Sequence, residues 1–134
     1  MIWQDIIVRR PLGDRALVGG MAAAFGINPH EVLILRRASV FPEPGGAKVV
    51  CVVSERVEGF RIALSVYTYS GELNGIDPVA VVKRFASVAQ TECLMTDESP
   101  DPYTMLSVHP TGECVSVKLD VDRLDAKDEY HISG

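Results

Sequence analysis

The segment IDPVAVVKRFASVAQ, residues 76–90, constrains the fold more than any other stretch of the chain. Asp77 is a side-chain acceptor suited to a helix N-cap and Pro78 suits the first helical position, so the spacing predicts a helix from Pro78 to about Gln90. Val79, Val82, Ala86 and Ala89 fall on one stripe, widened by Val81, Phe85 and Val88, whereas Lys83, Arg84, Ser87 and Gln90 fill the remaining arc. A helix that is apolar on one side must be laid on another layer. The segments flanking it are short, apolar and strand-like, so the expected partner is a β-sheet.

The rest of the chain is consistent with that arrangement. Ile2–Val8 reads as a strand, and Pro11 and Gly13 mark a turn. A second helix is expected from about Arg15 to Phe25, with Asp14 as N-cap and Gly26 ending it. Gly19 and Gly20 lie inside it at a cost of roughly 1 kcal/mol each relative to alanine, which suggests close packing of the helix backbone on the sheet. Val32–Leu35 and Lys48–Val53 are unbroken apolar runs, expected as central strands buried on both faces. Phe41–Gly46 is a Pro/Gly-rich connector. In the alternating stretch Arg61–Tyr69, the side chains of Ile62, Leu64, Val66 and Thr68 point one way and those of Ala63, Ser65, Tyr67 and Tyr69 the other. Further strands are expected near Glu92–Met95, over Tyr103–Val108 and over Cys114–Val121. The expectation is one α+β domain spanning residues 1–134: a mainly antiparallel sheet with two helices packed on one face, in the order β-α-β-β-β-α-β-β-β.

With 134 residues, 47% of them hydrophobic and 23% charged, the chain is long enough to bury a core and too apolar to be disordered. No apolar run approaches the roughly 18 residues of a membrane span. The charges of MIWQDIIVRR follow a short apolar run, opposite to a secretory signal, so a soluble cytoplasmic protein is expected. Cys51, Cys93 and Cys114 cannot all pair within one chain, and each sits in strand-like apolar context. Reduced, buried thiols are expected.

The net charge of −5 is unevenly distributed. Residues 1–91 carry ten Lys or Arg and eight Asp or Glu, a balance of +2, while residues 92–134 carry three and ten, a balance of −7. That sign repels nucleic acid and anionic membrane and steers a basic protein surface inward, although it also serves solubility. Arg9, Arg10, Arg36 and Arg37 form two dipeptides rather than a patch, so they are expected to solvate a rim or bridge carboxylates. The acidity begins in TDESPDPYTM, where Asp97, Glu98 and Asp101 precede Tyr103. These carboxylates lack the calcium-loop spacing and have no neighbouring histidine to favour zinc, so no metal or cofactor is expected.

A catalytic constellation is not expected either. His30, His109 and His131 are the three histidines, no Gly-x-Ser-x-Gly elbow is present, and Cys114 beside His109 across a turn reads as the start of a buried strand. No Gly-rich phosphate loop is present. The reading that remains is a non-catalytic, protein-binding module engaging a basic partner through Asp97, Glu98, Asp101, Tyr103, Tyr67 and Tyr69, with tyrosines as interface anchors. Exposed strand edges leave room for a homodimer.

Two resemblances bear on function. In overall character, a small acidic domain without catalytic machinery is similar to immunity proteins, which neutralise a cognate toxin, often a basic nuclease; no motif is shared. The stretch RRPLGDRALVGGMAAAFGIN, residues 9–28, resembles the opening of ACT-type amino-acid-binding regulatory domains in its Arg-Pro turn with glycine and its helix ending in Gly-Ile-Asn. Leu12 stands where a glycine beside the proline is expected. This second resemblance implies, as an alternative, a small ligand bound near Gly13–Gly20. A small enzyme with His109 or His30 beside a thiol or carboxylate is the third reading.

Overall fold

A computed structural model describes residues 2–36, 45–73 and 75–133. Its strands are β1 (Ile2–Val8), β2 (Val32–Leu35), β3 (Val49–Glu55), β4 (Ile62–Thr68), β5 (Cys93–Thr96), β6 (Thr104–Val108) and β7 (Cys114–Lys118). The helices are α1 (Asp14–Phe25), α2 (Pro78–Ala89) and α3 (Val121–Lys127). The seven strands form one sheet in the order β2-β3-β4-β1-β5-β6-β7, antiparallel throughout except for the parallel β2–β3 pair. Leaving out β2, the chain from β1 to β5 runs β-α-β-β-α-β with spatial order β3-β4-β1-β5, the split β-α-β arrangement. The β6–β7 hairpin extends one flank and β2 the other.

The expected α+β architecture and element order are therefore observed, and α1 and α2 share one face. Asp77 caps α2 by accepting a hydrogen bond from Val79 N–H, with Pro78 in the first turn. Gly26 ends α1 in the left-handed conformation at φ 70°. Four details differ from expectation. The N-cap of α1 is Gly13; Asp14 is the first helical residue, and its carboxylate pairs with Arg36 at 2.7 Å. Val32–Leu35 lies at the sheet edge among the described residues rather than centrally, because a half-buried edge strand and a central one both read as an apolar run. The last strand stops at Lys118. Beyond it, α3 packs against the face opposite α1 and α2. Of the expected connector Phe41–Gly46, residues 41–44 lie outside the described residues, as does Arg37.

The larger core lies under α1 and α2 and includes Ile6, Val8, Leu17, Met21, Val49, Leu64, Val66, Val82 and Phe85. Gly20 faces α2 rather than the sheet: a Cβ there would stand 2.7 Å from the Phe85 ring. Gly19 is exposed and has nothing within 4 Å of such an atom. At the far end of α1, Phe25 meets Trp3 edge-on, with ring centroids 5.2 Å apart.

A smaller core on the opposite face joins Ile7, Phe60, Leu94 and Leu119, covered by Leu124 of α3 and Tyr130 of the tail. The tail is sewn down by Phe60 N–H to the Tyr130 carbonyl (2.9 Å), Asp120 N–H to the His131 carbonyl (2.8 Å) and Ser133 N–H to the Lys118 carbonyl (2.7 Å). Gly59, at φ 74°, lies beneath it, where a Cβ would come 2.4 Å from the Tyr130 carbonyl oxygen.

Arginines from other elements serve the C-termini of α1, α2 and α3. Arg84 Nε donates to the Ala24 carbonyl of α1 at 2.9 Å, Arg10 to the Gln90 carbonyl after α2 at 3.1 Å, and Arg56 to the Asp128 carbonyl after α3 at 2.7 Å. A cation at the negative end of a helix dipole is favourable, and each guanidinium also satisfies a carbonyl that the helix leaves unpaired. Arg9 instead pairs with Glu92 at 2.6 Å, and Arg36 bridges Asp14 and Glu55. The dipeptides thus act within the fold, as far as the described arginines show.

Candidate partner-binding surface

The β5–β6 loop holds itself in shape through short-range side-chain hydrogen bonds. Thr96 Oγ1 accepts from Glu98 N–H (3.1 Å), Asp97 from Ser99 N–H (2.9 Å), Ser99 Oγ from Asp101 N–H (3.1 Å) and Asp101 from Tyr103 N–H (2.9 Å). This chain of Asx- and Ser/Thr-type turns stiffens the loop alongside Pro100 and Pro102. Asp97 and Asp101 are therefore partly structural. Glu98, exposed and at φ 61°, makes no side-chain hydrogen bond or ion pair among the described residues.

The loop is then tied to α3, as the Tyr103 hydroxyl donates to the Asp125 carboxylate at 2.8 and 3.0 Å. That bond, followed by burial and the charges of Asp125 and Asp101, raises the pKa of the Tyr103 phenol. The same end of the sheet carries Asp120, the N-cap of α3, and exposed Asp122 in its first turn. Other acids of the C-terminal third are neutralised elsewhere: Glu92 by Arg9, Asp128 by Arg56 and Glu129 by Arg123.

Of the six residues expected at a partner site, Asp97, Glu98, Asp101 and Tyr103 share this loop. Tyr67 and Tyr69 do not join them. They lie on or just after β4, three strand steps from β6, or about 14 Å laterally.

Between the loop and the start of α2 lies a groove of about 310 Å³ lined by Gln4, Asp77, Pro78, Val79, Met95, Thr96, Asp97, Glu98 and Leu106. Nothing in the local sequence marks it, because it combines the N-cap of α2 with a loop twenty residues later. A larger depression, about 540 Å³, is bordered by Phe25–Asn28, Glu31, Lys48, Glu72, Leu73 and Ile76. There the Lys48 ammonium bonds Glu72 and Glu31, the latter at 3.1 Å. Those hydrogen bonds raise the pKa of Lys48, and the one from Lys48 lowers that of Glu72; Glu31 is lowered first by the Asn28 N–H and then by Lys48. A third depression of about 420 Å³ lies beside Arg9, Gly59, Phe60 and the tail. None of these is lined by Gly13–Gly20.

Two further polar clusters lie elsewhere on the fold. Ser107, fully buried, donates to Glu92 Oε2, and His109 Nε2 lies 3.4 Å from Ser107 Oγ and 3.8 Å from Glu92. This is the histidine beside a carboxylate that the enzyme reading asks for, but the serine hydroxyl is shut away from solvent. Cys114 pairs in register with Val108 and so stands on the sheet face opposite Ser107 and His109. Burial pushes the Cys51 and Cys93 thiols up to about 12. Glu58, Glu129 and His131 converge closely enough for a metal ion, yet Arg123 Nη1 already lies 3.5, 3.9 and 3.2 Å from them. The guanidinium takes the position a cation would need. Among the described residues, no helix is long and apolar enough to cross a membrane. The chain matches no protein family model, no curated protein and no solved structure.

Proposed function

We propose that this protein is a non-catalytic binding module whose acidic end, formed by the β5–β6 loop and α3, docks a basic protein, as a neutralising inhibitor of the immunity type does. The observation that carries the reading is the Tyr103–Asp125 hydrogen bond. It makes one rigid acidic surface of two segments separated in sequence, and a pre-ordered surface loses less entropy on binding. Rim charges act chiefly on encounter, so association with such a partner slows as salt rises.

The test is affinity capture from native lysate at low and high salt, followed by binding kinetics on the captured protein. Glu98→Lys with Asp122→Lys is the informative double variant, because neither side chain supports the backbone, whereas reversing Asp97 or Asp101 would also undo the loop. A basic partner whose on-rate falls at least tenfold with the double variant supports the reading. An unchanged on-rate and affinity exclude the acidic end as the contact.

One observation favours a second reading. The 540 Å³ depression is bordered by Gly26, Ile27 and Asn28, the end of the stretch that resembles ACT-type domains. A small amino acid bound there would raise the melting temperature, since a ligand of the native state alone stabilises it. A panel of amino acids that shifts nothing removes that alternative.

A further inference from the structure

We infer that the groove between α2 and the β5–β6 loop receives one lysine or arginine side chain of the basic partner; this rests on the partner reading above. The groove has an apolar floor and an acidic mouth. Half-buried Leu106, Val79 and Pro78 offer a surface for an aliphatic stem, with Met95, 2% exposed, beneath them. Asp77, Asp97 and Glu98 stand around the opening. Asp77 and Asp97 each commit one carboxylate oxygen to a backbone N–H, leaving the other for a ligand, and Glu98 commits neither.

A long basic side chain complements both parts at once. Its methylenes lie along apolar atoms while its charged head remains at the wet rim, the division such side chains adopt on protein surfaces. At about 310 Å³ the space lies at the bottom of the range for ligand clefts, which suits one side chain better than a cofactor. An acidic peptide would meet three carboxylates, and a wholly apolar anchor would leave them unpaired at a closed interface.

The test follows backbone amide shifts of the 15N-labelled protein during titration with capped Ala-Lys-Ala and Ala-Arg-Ala, and with capped Ala-norleucine-Ala, which has a stem and no charge. Saturable shifts are expected at Val79, Thr96, Glu98 and Leu106 with the two basic peptides, and binding at least tenfold weaker with the norleucine peptide. Leu106→Trp fills the floor while keeping every carboxylate and should weaken the basic peptides at least tenfold. Should that variant fail to fold, Gln4→Lys, which places an ammonium against the groove and leaves every hydrogen bond of the loop in place, should do the same. Shifts that persist in these variants, or that are as large around Asp122 and Asp125 as in the groove, overturn the inference, as does the absence of shifts. The partner reading is judged separately, by capture and by the Glu98→Lys/Asp122→Lys pair. Capture that survives Leu106→Trp with unchanged affinity removes the groove from the interface and leaves the acidic surface in place.

Discussion

Two adjacent glycines in α1 illustrate how far a residue's meaning depends on what stands opposite it. Both carry the same helix penalty, but Gly20 abuts the buried Phe85 ring and Gly19 faces open space. Gly20→Ala is expected to destabilise by about 1–3 kcal/mol, through displacement of a ring that has nowhere to go. Gly19→Ala should be neutral or stabilising by up to about 1 kcal/mol. Urea denaturation of the two single variants checks the opposite signs. The thiols allow a second comparison. Burial pushes the Cys51 and Cys93 thiols up to about 12, from an ordinary thiol value of 9.0, so between those pH values the unfolded chain gives up protons that the native one retains. Their contribution makes stability fall as pH rises from 9 toward 12. A Cys51→Ala variant, though less stable overall, should lose stability less steeply over that interval. At pH 8 a thiol reagent should modify at most the half-buried Cys114 in the native protein, and all three cysteines in denaturant.

Among the elements, α2 was legible in the sequence because its cap, its proline and its stripe all point to one state. The alternation in β4 was equally plain, and Ile62, Leu64 and Val66 are buried as their spacing implies. The edge position of β2 was not readable, since the register that places it beside β3 depends on where residue 49 returns. Nor was α3, whose sequence VDRLDAK offers little apolar periodicity; Leu124 alone of its side chains joins the smaller core, and the rest of its hold comes from distant ties. Arg56 supplies one of them, reaching both the Asp128 carbonyl and its carboxylate. Arg56→Ala should therefore cost about 2 kcal/mol and release α3, as faster hydrogen exchange at Leu124, Asp128 and Glu129 while α1 and α2 remain protected. The acidic loop was recognisable as a stiff turn, but its coupling to α3 and the groove beside α2 arise from tertiary neighbours that no local pattern reports.

For the molecule as a whole, the two faces of the sheet are unequally protected. One lies beneath two twelve-residue helices; the other depends on seven residues of α3 and the tail over Gly59. Removal of residues 121–134 should uncover Ile7, Phe60, Leu94 and Leu119 together, giving dye binding to exposed apolar surface and concentration-dependent aggregation. Light scattering against the full chain would show it. Unchanged solubility and no dye signal would mean that this layer is dispensable.

The central place of β1 also bears on how the chain leaves the ribosome. Val8 pairs with Ile62 on one side and Cys93 on the other, so β1, once made, must wait for partners that follow it in the chain, first β4 and then β5. At roughly 5–20 residues per second of synthesis, the strand remains unpaired for seconds. A nascent chain halted before β5 would present an apolar strand with one open edge, the state in which a chaperone is most needed and a stalled product most prone to self-association.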